Sequence, residues 1–249
     1  MISLSAKSKS KAIDLFDLDV PKNNYISVSS SIAGVSGARL DAHMWLPMCA
    51  PIYEISPNLN DYLVVPVVTV VSDLPNTNGD YIEREEIMAF NPHFGMCFYN
   101  TFKGKPVQVE HDNAVLNRAR GVILDCYVSP LKGFSGKRCK IVQLLAIDKS
   151  KDRKTAQEVA QGLINTYSVG AKYQAYQCSI SGKIYKPNQQ PGQFTQPNVP
   201  TYRAENGQLV FRKLKNLYGF ETSIVKNPAF VSALSDDIID LGSAQFDFN

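Results

Sequence analysis

His111 closes a run of alternating apolar and polar residues, VQVEH, and a serine and a glutamate follow at Ser168 and Glu221. An imidazole can take the proton of a hydroxyl, and a serine oxygen so relieved can attack a carbonyl carbon. A carboxylate can hold the far ring nitrogen and steady the imidazolium that forms. These three types in the order base, nucleophile, acid suffice for acyl-transfer chemistry. Each must be delivered by its own stretch of chain.

In an extended strand Val107, Val109 and His111 share one face and Gln108, Glu110 and Asp112 the other. The imidazole is thereby predicted on the apolar side, with Asp112 pointing away from it. A core histidine with a satisfied hydrogen bond is the plain alternative. Around Ser168, Tyr167, Val169, Ala171 and Tyr173 alternate with Ser168, Gly170 and Lys172. The serine then shares a side kept open by a glycine, where a substrate backbone could approach, unless it is an ordinary strand residue. Glu221 shares its face with Ser223 and Val225. Burying a carboxylate alone costs roughly several kcal/mol, so it needs a partner. A charged histidine is one, and an exposed ion pair to Lys213 or Lys215 is the duller choice.

Other reactive residues have weaker contexts. His43 and His93 lack metal-ligand spacing with each other or with His111, so neither metal nor cofactor is expected. The five cysteines are scattered, odd in number and without a CxxC pair, which favours reduced thiols over disulfides or structural zinc. Cys126 and Cys178 lie in apolar strand contexts that raise a thiol pKa. SGKRCK, around Lys137 and Lys140, is basic but lacks the glycine spacing of a phosphate loop.

The elements that must position these residues read as α+β, predominantly β. The 249 residues can hold one sizeable core plus an extension, and 44% hydrophobic with 20% charged residues reads as soluble and globular. A net charge of +3 is too small to argue for nucleic acid, and Lys7, Lys9 and Lys11, spaced by serines, read as a solvated tail. The Ser- and Lys-rich start has no long apolar run behind it, so no secretory leader is expected. The apolar run at 62–71 is too short for a bilayer, holds Pro66 and predicts a buried strand. Residues 1–60, Ser-rich at 27–36 and punctuated by Pro47, Pro51 and Pro57, read as an irregular extension or small subdomain packed on the main body.

Strands are predicted at 107–110, 121–128 and 140–147, the last two as a hairpin with a long loop. A turn is predicted over SDLPNTNGDY and a short helix over 83–90. Residues 152–166 predict the clearest helix, with Ala156, Val159, Ala160, Leu163 and Ile164 on one face. A strand follows at 167–177, then a Pro-, Gln- and Asn-rich surface loop at 186–200. The last strands are predicted at 210–217 and 219–225. An acidic tail, residues 235–249, holds Asp236, Asp237 and Asp240.

KGKPVQVEHDNAVLNRARGVILD, INTYSVGAKY and GFETSIVKNPAF resemble, in order and spacing, the three blocks of tailed-bacteriophage prohead maturation proteases. SDLPNTNGDYIEREEI looks like the block that precedes them in many members. These enzymes are serine proteases distantly similar to the herpesvirus maturation protease, or assemblin. The resemblance implies an assemblin-like β-barrel with flanking helices over residues 61–234. It also implies His111 as base, Ser168 as nucleophile and Glu221 as the acidic third member. The herpesvirus enzymes carry a second histidine at that third position, but this chain has no histidine after His111. Where they place a pair of arginines near the oxyanion, Lys226 and Asn227 stand here, and backbone N–H groups near Asn227 become the oxyanion candidates.

The implied substrates are scaffold or core proteins, the major capsid protein and the protease itself. The implied setting is the immature procapsid in the host cytoplasm, with self-association and without nucleic acid or membrane as partners. Family members often cut after glutamate, which makes Lys172, on the Ser168 face, a substrate-binding candidate. The chain ends and the 186–200 loop are the expected self-cleavage sites. A non-catalytic procapsid core component of the same fold is the alternative, and a metal hydrolase using His111 and Asp112 is the third reading.

Overall fold

The computed structural model describes residues 42–131, 138–187, 207, 209–230 and 239–240. The lysines of the Ser-rich start, the 27–36 stretch, Lys137, most of the 186–200 loop, Asp236 and Asp237 lie outside them.

In chain order the described elements are α1 (Ala42–Tyr53), β1 (Tyr62–Val71), β2 (Asp80–Tyr81), α2 (Arg84–Met88), β3 (Phe90–Asn91), β4 (Met96–Cys97) and β5 (Pro106–Val109). There follow β6 (Gly121–Pro130), β7 (Cys139–Asp148), α3 (Arg153–Ala160), β8 (Tyr167–Lys172), β9 (Ala175–Cys178) and β10 (Ile184–Tyr185). The chain continues through β11 (Arg212–Lys215), β12 (Tyr218–Ile224) and β13 (Ile239–Asp240). The fold is mostly β, a curled half-barrel sheet with few helices.

Among the described residues seven strands make the main sheet in the order β13-β1-β7-β6-β5-β12-β8, and β8 curls back to touch β1. A four-stranded sheet, β10-β9-β11-β2, lies beside it. Alternate residues of the main sheet feed two cores. Leu63, Val65, Val107, Ile123, Leu145, Tyr167 and Ile224 belong to the larger one. Tyr62, Val64, Val122, Leu144 and Ala146 pack on the opposite face with α1.

Helix α1 falls where an irregular extension was expected. Leu46, Cys49, Ala50 and Tyr53 repeat at i, i+3, i+4 and i+7 and are buried, while Pro47 and Pro51 stand on the exposed side. Each proline removes one helix hydrogen bond, and docking of the apolar stripe onto the sheet compensates. Two prolines hid the periodicity.

Helix α3 is shorter than its pattern. Asp152 caps its start by accepting from the Thr155 N–H at 3.1 Å. Gly162, at φ +69, ends it: its N–H donates to Val159 O at 2.9 Å and that of Leu163 to Glu158 O at 2.8 Å. That is a Schellman stop, and it leaves Leu163 72% exposed instead of on the core face. The single strand expected over 167–177 divides into β8 and β9, which belong to different sheets. Ile239 and Asp240, expected in a tail, pair antiparallel with Val64 and Leu63.

One topological feature governs the rest. β5 and β12 pair in parallel, so both finish at the same end of the sheet, and β8, antiparallel to β12, begins there.

Candidate active site

Strand β5 stops at Val109, earlier than its alternating pattern predicts. Glu110 (φ 49) and His111 (φ 57) are both left-handed, a conformation that costs a non-glycine residue about 1–2 kcal/mol. Local bonds hold them there. The Glu110 N–H donates to Ile224 O at 3.0 Å, the Asp112 N–H to Val109 O at 2.9 Å and the Asn113 N–H to His111 O at 2.8 Å. The Glu110 carboxylate accepts the Lys226 N–H at 3.0 Å. The turn takes His111 off the apolar side that strict alternation would assign it, and its side chain is 43% exposed.

The imidazole meets Glu221 instead. Nδ1 lies 2.7 Å from Glu221 Oε1, and the glutamate side chain is only 1% exposed. An ionised carboxylate only accepts, so the contact puts the proton on Nδ1 and leaves the Nε2 lone pair available. Hydrogen bonding to Glu221 raises the His111 pKa above its ordinary 6.5, burial opposes this, and the charges of Glu221 and Glu110 add to the rise. The alternative cations for Glu221 are engaged elsewhere, since Lys213 and Lys215 both pair with Glu83. Asp112 likewise pairs with Arg118, at 2.7 Å, and not with His111. Asp125 pairs with Lys103 at 3.2 Å.

Room for the carboxylate comes from Gly170. β12 bulges between Gly219 and Glu221, which sets Glu221 opposite Gly170. A Cβ at Gly170 would lie 2.3 Å from Glu221 Oε1 and 2.7 Å from the Phe220 ring. The open side expected above this glycine for a substrate is therefore filled by the acid itself. The glycine serves the dyad.

Ser168 sits two residues earlier on β8, on the same face, directly across the ladder from Ser223. Such cross-strand Cβ atoms lie roughly 5 Å apart. Ser223 Oγ in turn accepts the His111 N–H at 3.1 Å. Ser168 is thus one ladder step from the residue that touches His111, and it is 6% exposed. Among the described residues its hydroxyl makes no hydrogen bond, so the structure joins His111 to Glu221 and leaves Ser168 beside them, unbonded. In enzymes, contacts between a base and its nucleophile are often long without substrate and tighten in the complex.

Asn227 is exposed, just past β12. The preceding amides are occupied: the Val225 N–H donates to Thr166 O at 3.0 Å and the Lys226 N–H to Glu110. The Asn227 N–H makes no hydrogen bond among the described residues. Lys172 is exposed on the Ser168 face of β8, with Nζ 5.8 Å from the Phe220 ring centroid.

The remaining candidates lie apart. A cavity of about 680 Å³ is lined by His93, Phe94, Lys103, Lys105 and Tyr218 among others, and by none of His111, Ser168 or Glu221. The described cysteines are all free thiols. Burial pushes Cys126 well up, as its apolar context predicts. Cys178 goes the other way. Burial raises it, but hydrogen bonds from the Ser181 backbone and side chain and from the Ile180 backbone outweigh that and lower it.

Sequence reasoning passed over Ser223. Its signal was present, because the spacing in ETS puts it on the Glu221 face. No family model, curated protein or solved structure matches the chain.

Proposed function

We propose that the chain is a serine endopeptidase of the prohead-maturation type, with an assemblin-like fold. In this reading it cleaves scaffold or core proteins, the major capsid protein and itself inside the immature procapsid. The carrying observation is the 2.7 Å contact between His111 Nδ1 and the buried Glu221 carboxylate, with Ser168 on the adjoining strand. A buried acid locking one ring nitrogen of a half-exposed histidine leaves the other nitrogen as a directed base.

In the proposed reaction His111 Nε2 takes the Ser168 proton as Oγ bonds to the scissile carbonyl carbon. The tetrahedral oxyanion collapses, the C–N bond breaks and the imidazolium returns its proton to the leaving amine. Water then repeats the sequence on the acyl-enzyme and frees Ser168. The Asn227 N–H is the oxyanion candidate, and losing such a donor raises a barrier by about 3 kcal/mol. Lys172, cationic and exposed, would receive an acidic substrate side chain.

Co-expression with a candidate scaffold protein, wild type against Ser168→Ala, tests the reading. Cleavage is expected only with the wild type. Equal cleavage by both removes Ser168 from the chemistry. The non-catalytic alternative draws on the absence of a Ser168–His111 hydrogen bond, and it predicts that a serine-directed phosphonate leaves Ser168 unlabelled.

A further inference from the structure

Resting on that reading, we infer that Ser223 is a positioning residue that clasps the Glu221 carboxylate and the His111 turn into one rigid unit. A serine hydroxyl carries one donor and two acceptor sites. Here the donor goes to Glu221 Oε2 at 2.6 Å, and an acceptor site takes the His111 backbone N–H at 3.1 Å. Glu221 Oε1 reaches His111 Nδ1 at 2.7 Å. The bonds close a ring running from the Ser223 hydroxyl through the carboxylate and imidazole to the histidine's own backbone and back.

Each limb has a separate task. The bond to Oε2 fixes the rotation of the carboxylate, so that Oε1 faces the ring. The bond from the His111 N–H helps keep a non-glycine residue in a left-handed conformation it would otherwise leave. Ser223 is fully buried and committed on both sides, so it cannot itself attack a substrate. Ser168, one ladder step away, holds a hydroxyl that makes no hydrogen bond among the described residues. Among the described residues the other charged group acting on the imidazole is Glu110, whose carboxylate is tied to the Lys226 N–H. That leaves the clasp as the device that orients the acid.

The test follows the His111 imidazole by NMR titration in the full chain, with turnover measured beside it. In Ser223→Ala the titration midpoint is expected to fall by about half a unit or more toward the free-imidazole value. The kcat is expected to drop by roughly tenfold with KM held, the scale of one hydrogen bond to a charged group. Ser223→Thr, which keeps a hydroxyl, should recover the midpoint. Should the alanine variant not fold, Ser223→Cys replaces it, because the thiol is close in size and a much weaker donor. A folded Ala or Cys variant with the wild-type midpoint overturns the inference, as does a loss carried entirely by KM. A midpoint that moves in a protein whose Ser168 never reacts with a phosphonate upholds the clasp and overturns the protease reading instead.

Discussion

At the residue scale, the site rests on one buried acid and one strained turn. Glu221 is buried and His111 reaches solvent, so the pair can order an imidazole without removing it from a substrate. Replacing Glu221 by Gln keeps the size of the side chain but offers an amide to Nδ1, which no longer enforces a single tautomer. Turnover is expected to fall about 10²-fold or more, with the circular dichroism spectrum unchanged. Wild-type rates in that variant would remove Glu221 from the reaction.

At the scale of elements, two glycines carry opposite expectations. Gly170→Ala would force a methyl group onto the Glu221 carboxylate and the Phe220 ring. Strain of this type costs about 1–3 kcal/mol, and the carboxylate would have to leave His111. Both melting temperature and turnover should drop, and retained turnover would show that the acid has another seat. Gly162→Ala meets no atom within 4 Å but must hold φ +69. The expected cost is about 1 kcal/mol, read as a lower melting temperature with turnover intact. Lost turnover there would tie the end of α3 to the site.

For the whole molecule, pH should pull stability and activity apart. The folded His111 pKa lies above 6.5, mainly through its bond to Glu221. Protonated His111 therefore favours the folded chain. Its contribution is complete below about 6.5 and fades as pH rises through the raised folded value. In the proposed mechanism His111 acts as a neutral base, so turnover should climb over that same interval. Thermal melts of wild type against His111→Gln across pH 5.5–9, with turnover of the wild type alongside, check both trends. The wild-type advantage in melting temperature should shrink as turnover grows. An advantage that grows with pH contradicts the pairing.

Taken by itself, the sequence determined which residue types are present, where β-branched runs make strands and where turns fall. It placed β1, β6, β7 and β12 closely, because each depends on local alternation and flanking turn residues. The shared face of Glu221 and Ser223 follows from the period of a strand. Tertiary structure decided the rest. Packing against Tyr62, Val64 and Leu144 made a helix of a stretch containing Pro47 and Pro51. The carboxylate's partner was settled by bonds between distant segments, which turned Glu110 and His111 left-handed against the alternation of β5. Above all, the parallel pairing of β5 with β12 brings the His111 turn and the start of β8 to the end of β12, whose second half carries Glu221 and Ser223. A local pattern records how each strand is built; it carries no record of which strand lies beside it.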